Sequence, residues 1–396
     1  MTTKGREVLV AGVGMIPFTK PGASPSYDEM AVSAIKLALE DAGVAFSDVE
    51  QAYAGFVYGD SCSGQRAIYQ AGMTGIPIVN VNNNCSTGSS ALFLARQAVE
   101  GGLTDCALAV GFEQMNPGPL SPLFADRVSP FTDFDKTCDA LTDVDLPLAL
   151  RYFGGAGRDH MRKYGTTLAD FAKVRAKASR HAAANPLSVF RNVMSEEDVL
   201  EAQVIWPGVM TRPMACPPTC GAAAAIIVSA DFAKRQGLQP QVRIAAQSMT
   251  TDTPSTFDSG DMMRLAGYDM AKQAARNVYE AAGVGPEDIR VVELHDCFAH
   301  NEVITYEALG LCGEGQAQKF IADGDNSYGG RVVTNPSGGL LSKGHPVGAT
   351  GLAQCYELTN QLRGTAEQRQ VEGVRHALQH NLGLGGACVV TLYEKV

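Results

Sequence analysis

A stretch in the first third of the chain recurs in the last third, and nothing else in the sequence limits the fold as much. "MAVSAIKLALEDAGVAFSDVE" from Met30 and "MAKQAARNVYEAAGVGPEDIR" from Met270 share Met, Ala, Ala, Glu, Ala, Gly, Val and Asp at a constant offset. Farther along, "CSTGSSAL" from Cys85 lines up with "HPVGATGL" from His345, matching at the glycine and the leucine. Such self-similarity marks duplicated units. Two homologous halves are expected, with Cys85 and His345 at equivalent helix starts. Packed about a pseudo-twofold axis, the halves would bring both residues to one pocket.

Within the halves, strands rich in Val, Ile and Ala at 8–13, 52–58 and 106–111 alternate with helices at about 28–42 and after Cys85, which argues for α/β layers. The first helix opens with a capping box, Ser26 to Glu29, and closes at Gly43. "GVG" at Gly12 to Gly14 lacks the third glycine of a dinucleotide fingerprint and is followed by Pro17, so that reading is rejected. Residues 112–221 are too many for a structureless loop and are read as an inserted loop domain with one clear helix at 168–183. The expected division is therefore 1–111 with 222–255 as the N-terminal half, 112–221 as the loop domain, and 256–396 as the C-terminal half. The loop-domain cations Arg162, Lys163, Lys173, Arg175, Lys177 and Arg180 are candidates to meet phosphates, or else a solvated helix face.

Composition narrows the partners. Hydrophobic content of 45% and charged content of 19% fit a compact globular chain, and a net charge of −10 argues against nucleic acid or an anionic membrane. The apolar run near the start is too short for a signal peptide and no segment approaches the ~20 apolar residues of a span, so a cytoplasmic protein is expected. Ten cysteines are scattered, and Cys216 and Cys220 have no histidine nearby to complete a zinc site, so no metal is expected.

Four pieces carry chemistry. Cys85, in "VNVNNNCSTGSS", stands at the mouth of a helix whose free N–H groups and dipole favour thiolate over thiol; the plainer reading is a small core residue. "HDCF" follows the strand at 291–294, where α/β folds place functional groups, and an extended backbone would turn His295 and Cys297 to one side. The plainer alternative is a buried cysteine beside a hydrogen-bonded histidine. His345 lies between Gly344 and Pro346 in a glycine-rich turn, a poor place for a packing residue. Glycines in "QHNLGLGGA" allow close backbone approach and free N–H groups for an oxyanion.

These pieces, with "GVGM", "GDSCSGQRAIYQAGMTGIPIVNVNNNCSTGS", "YEALGLC" and "NPSGGLLSKGHPVGATGLAQC", resemble the thiolase superfamily over nearly the whole chain, and within it the sterol-carrier type, the thiolase part of sterol carrier protein x. The resemblance implies a five-layered αβαβα fold and a homodimer. In most other thiolases Asn-Glu-Ala-Phe occupies the place of "HDCF" and a Cys-x-Gly motif carries a second catalytic cysteine; here Asn381 fills that place and Cys297 is its implied replacement. Two departures are visible. The lipid-transfer domain that often follows has no counterpart in the resemblance, which removes any ground for sterol transfer, and Cys220 stands where aspartate is common.

The expected reaction is thiolytic cleavage of a 3-ketoacyl-CoA, or the reverse Claisen condensation, with coenzyme A as substrate and no tightly bound cofactor. Cys85, relieved of its proton by His345, attacks the ketone to form an acyl-enzyme, and Cys297 protonates the departing carbanion. The resemblance assigns the enolate oxygen to His345 and His295; the N–H groups of Cys85 and Gly383 would form a second oxyanion hole. A decarboxylating synthase makes its carbanion without a base and has no need of Cys297. The alternatives are a thiolase-fold aldolase or acyltransferase working with a small accessory subunit, and a non-catalytic acyl-CoA or lipid-binding protein.

Overall fold

The computed structural model of the chain describes residues 5–396 except 119, 121–123 and 125. Twelve strands are described: β1 (Val8–Met15), β2 (Gln51–Gly55), β3 (Ile78–Val81), β4 (Cys106–Glu113), β5 (Val204–Trp206), β6 (Met210–Thr211), β7 (Gly221–Ser229), β8 (Val242–Thr250), β9 (Val291–Glu293), β10 (Val333–Thr334), β11 (His376–Gly383) and β12 (Ala387–Lys395). Ten of them run in the order β10-β9-β11-β12-β8-β1-β7-β4-β2-β3.

That order is one five-stranded pattern used twice. From the middle outward, β1-β7-β4 are antiparallel and β4-β2-β3 parallel. β8-β12-β11 are likewise antiparallel and β11-β9-β10 parallel. The two sets are joined in the sheet by β1 and β8, whose described register is the pair Leu9 and Arg243. The repeat that begins at Met30 and Met270 forms helices Tyr27–Ala42 and Tyr268–Ala282, each closed by a left-handed glycine, Gly43 at φ 68° and Gly283 at φ 69°. A boundary at residue 255 leaves β8 with the N-terminal half, whereas its hydrogen bonds run along β12 from Val242 to Thr250. In pairing, the C-terminal half starts with β8.

Strands buried on both faces read as continuous apolar runs, as "GAAAAIIVS" does in β7. Alternate residues then serve different layers: Val8, Val10 and Val13 face a central cluster, and Leu9 and Ala11 an outer one. Helices Thr87–Glu100 and Thr350–Arg363 fill the centre through Leu92, Ala95, Leu352 and Ala353, and helices Tyr27–Ala42 and Tyr268–Ala282 cover the outer faces. Helix, sheet, helix, sheet, helix makes five layers.

The inserted segment contains helices Thr132–Leu141, Leu148–Tyr164 and Leu168–Ala183 and the β5–β6 pair, which is more regular structure than its sequence suggests. The middle helix was illegible because "FGGAG" reads as loop. Its glycines are contact sites: a Cβ at Gly157 would lie 2.3 Å from the His300 ring, and one at Gly154 would lie 2.8 Å from Trp206. The inserted helices share one core with the outer layer of the C-terminal half, with Phe153 stacked on Phe298 at 5.0 Å. On helix Leu168–Ala183, Arg175 and Lys177 are buried, which corrects both readings of the cation run for these two residues. Lys177 pairs with Glu302 and donates to Thr334 Oγ1 at 2.5 Å, and Arg175 donates to Ser342 at 2.8 Å. No described helix is long and apolar enough to cross a membrane.

Candidate active site

The three asparagines before Cys85 each have a task in turning β3 into the central helix. Asn82 accepts the backbone N–H of Asn84 at 3.0 Å. Asn83 accepts from the Ser86 hydroxyl at 2.9 Å through its carbonyl and donates through its amide to Ser90 at 2.9 Å. Asn84 takes a left-handed backbone, φ 51°, and donates to the carbonyl of Leu384 at 3.1 Å. Asparagine tolerates that conformation better than other side chains. The result is a tight turn that presents Cys85 to the centre of the molecule, two residues before helix Thr87–Glu100 begins.

β11 ends directly against this turn. A Cβ at Gly383 would lie 2.2 Å from the carbonyl of Asn83, so only glycine lets the strand pass. The next residue, Leu384, directs its backbone N–H at the Cys85 sulfur, as Cys85's own N–H does. Both donors favour the thiolate, yet burial outweighs them and pushes the thiol up to about 12, with Glu113 adding to the rise. The helix mouth therefore favours the thiolate less than burial favours the neutral thiol, so the proton of Cys85 needs an acceptor, the part expected of His345.

His345 is placed to accept it. It lies five residues ahead of helix Thr350–Arg363 rather than at its mouth, because the Pro346 turn intervenes. The alignment with Cys85 thus holds for the place in the fold but not for the helix start. Thr350 Oγ1 donates to the carbonyl of Pro346 at 3.0 Å, so it receives the Nδ1–H of His345 at 2.7 Å. That leaves Nε2 as the bare nitrogen, buried and without a hydrogen-bond partner among the described residues. Burial holds this imidazole down to about 3, hence neutral and able to take a proton. The Thr219 hydroxyl fixes its backbone N–H at 3.2 Å.

Ligand atoms of Cys85, His295 and His345 lie within 4.8 Å of one another, and the two rings stand edge to face at 5.1 Å. β9 ends at Glu293, so His295 and Cys297 lie in the loop beyond it and strand alternation does not govern them. The loop is fixed instead by Asn301, which donates to the carbonyl of His295 at 2.5 Å, and by Cys216, whose N–H donates to the carbonyl of Cys297 at 2.8 Å. His295 is held well below the usual histidine range by burial and then by His345 and His380. Cys297 stands outside the trio, and its thiol is pushed up by burial and by the neighbouring sulfurs of Cys216 and Cys85.

Residues that the sequence did not single out complete the frame. Glu113, at the end of β4, accepts the N–H groups of Val57, Tyr58 and Gly348, each at 3.0 Å, and burial pushes it up to about 7. Asp296 accepts from Leu340 at 2.7 Å, and Glu293 accepts from Ser337 and Lys343. Carboxylates from β4, β9 and the loop after β9 thus grip the His345 segment from both sides. For Glu113 and Glu293 the sequence signal is an acidic residue at the end of an otherwise apolar strand, and Asp296 lies inside the HDCF motif.

Family models for the thiolase N-terminal domain and a thiolase C-terminal domain-like unit match residues 8–196 and 252–393. Sterol carrier protein 2 of Bos taurus is 53% identical over 394 residues, which is 98% of this chain and 72% of that protein. The chain belongs to the thiolase family. Its architecture is the thiolase fold: human mitochondrial 3-ketoacyl-CoA thiolase superposes with a TM-score of 0.76 at 19% identity, covering 100% of both chains. The Ltp2-ChsH2(DUF35) aldolase superposes with a TM-score of 0.83 at 22% identity, covering 99% of both. Membership supports an acyltransferase.

Proposed function

We propose that this thiolase cleaves 3-ketoacyl-CoA with free CoA, or runs the reverse Claisen condensation, through an acyl group on Cys85. The observation that carries the reading is a set in which ring nitrogens of His345 and His295 lie within 4.8 Å of each other and of the Cys85 sulfur, while Nε2 of His345 has no hydrogen-bond partner among the described residues. His345 takes the thiol proton as sulfur attacks the ketone carbon, so thiolate forms only as the C–S bond forms. The Cα–Cβ bond then breaks. Cys85 keeps the acyl group, the leaving acetyl-CoA enolate is held at its thioester oxygen by His345 and His295, and Cys297 supplies the proton to its α carbon. The Cys297 thiolate next accepts the proton of incoming CoA, whose sulfur attacks the acyl carbon under the N–H groups of Cys85 and Gly383. Cys85 leaves and recovers its proton from His345.

A homodimer and a cytoplasmic location go with this reading; all ten cysteines are free thiols, as a reducing compartment favours. A second reading, an aldolase completed by a small subunit, is supported by the higher TM-score to the Ltp2-ChsH2(DUF35) aldolase. Thiolysis assays with purified protein alone, across short, long, 2-methyl-branched and ring-bearing 3-ketoacyl-CoAs, separate the two. CoA-dependent cleavage of any of them supports the thiolase; no turnover and no Cys85 acylation without an added partner would sink it.

A further inference from the structure

Gln379 and Asn381 are polar residues on a strand buried on both faces, two apart and so on the same side of β11, turned into the central layer. A chain of hydrogen bonds leaves the Asn381 amide a single orientation. Gln379 accepts from the Tyr393 hydroxyl through Oε1, which aims its Nε2 at Ser89 Oγ, 2.8 Å away. Because Ser89 accepts there, its one proton goes to Asn381 Oδ1 at 2.8 Å. Asn381 Nδ2 is thereby turned toward the carbonyl of Cys85 at 3.1 Å and Nδ1 of His295 at 3.1 Å. The carbonyl can only accept, which forbids the flipped amide. Facing an N–H, Nδ1 of His295 must accept, and the proton of this neutral imidazole sits on Nε2.

We propose that Asn381 is a positioning residue that holds His295 in the Nε2–H form, the form able to donate to an enolate oxygen. This rests on the thiolase reading for the oxygen, but not for the tautomer. The arrangement gives the two histidines opposite polarity by different partners: Thr350 accepts from His345 and leaves it a base, and Asn381 donates to His295 and leaves it a donor. It also accounts for an amide where most thiolases are implied to carry a second cysteine, since the protonating thiol has moved to Cys297. The same tautomer denies a soft divalent cation the lone pair it would need from His295, although Cys85, His295 and His345 are a plausible donor set by composition.

The decisive measurement is ¹⁵N NMR on protein labelled in its seven histidines, with His295 identified by its loss in His295→Gln. The expected spectrum has a proton on Nε2 of His295 and none on Nδ1. In Asn381→Asp a carboxylate that only accepts replaces the donor, so Nδ1 gains a proton. In Asn381→Leu, α-proton exchange of acetyl-CoA in heavy water is expected to fall roughly 10²-fold, the cost of a misplaced catalytic group. Cys85 acylation should fall by less than about tenfold, since backbone N–H groups hold the acyl oxygen. A proton on Nδ1 in the unmodified protein overturns the proposal, and so does equal loss of both steps in Asn381→Leu, which is what a packing defect gives. If neither variant folds, the unmodified spectrum alone decides. The expected tautomer in a protein with no exchange or thiolysis would overturn the reaction and leave the tautomer standing.

Discussion

At the scale of single residues, the site separates two cysteines that share one neighbourhood. Cys85 lies within 4.8 Å of ring nitrogens of His295 and His345, and Cys297 does not belong to that close trio. Cys297→Ala should therefore still accept an acyl group on Cys85, while carbon–carbon cleavage and α-proton exchange fall by roughly 10²–10⁴-fold. Cys85→Ala should lose acylation and turnover together; near-normal thiolysis in Cys297→Ala would return that thiol to the core. The pH dependence follows from burial. The Cys85 thiol is pushed up to about 12 and His345 down to about 3, so across neutral pH both are uncharged. The thiolate fraction then grows tenfold per pH unit below the thiol's own pKa. Iodoacetamide labelling of Cys85, followed by peptide mass mapping with acetyl-CoA protection to separate it from exposed Cys62, should rise through pH 10 without a plateau. A plateau near pH 7 would mean a standing thiolate–imidazolium pair.

At the scale of elements, the sequence was legible wherever one principle spoke alone. The helix at 168–183 is found at Leu168–Ala183, and the repeated helix is found twice with its glycine stops, because periodicity and caps agree there. It failed where long-range packing decides: "FGGAG" is helical because His300 and Trp206 fill the space of absent side chains. For the site, the motifs named Cys85, His295, Cys297 and His345, of which the fold brings Cys85, His295 and His345 together. The bond from Asn381 to His295 and the Glu113 carboxyl behind Cys85 join residues far apart in sequence, and even the bond from His345 to Thr350, five residues on, depends on the turn at Pro346, so none has a local signature. Lys177 shows the same limit, since a helix cation reads as solvated until its partners Glu302, Tyr306 and Thr334 close around it. Removing one member of a buried pair typically costs about 3–5 kcal/mol. Lys177→Ala should lower the thermal unfolding midpoint clearly, whereas Lys173→Ala, on a half-exposed residue of the same helix, should leave it unchanged; equal midpoints would contradict the buried pairing.

At the scale of the whole molecule, duplication creates two sheet edges, and the chain treats them differently. β10 is two residues long and buried, whereas β3 leaves Val79 37% exposed and Asn80 exposed. An open edge carrying an apolar side chain is a template for another strand, which proteins blunt, cover or use. β3 has no proline and no charge, and it leads straight into the asparagine turn that aims Cys85. The edge is not blunted by proline or charge and any disturbance of it reaches the nucleophile, so the expected outcome is use: a second copy is predicted to pair its own β3 antiparallel about a twofold axis. Sedimentation at micromolar concentration should give about twice the 41.8 kDa chain mass. Val79→Lys, which puts a charge on the open edge without touching its backbone, should shift the protein toward monomer and depress Cys85 acylation in the same concentration range. The two losses are expected together because one strand serves both; a monomer that acylates Cys85 at the full rate would uncouple the edge from the site and remove the case for a dimer.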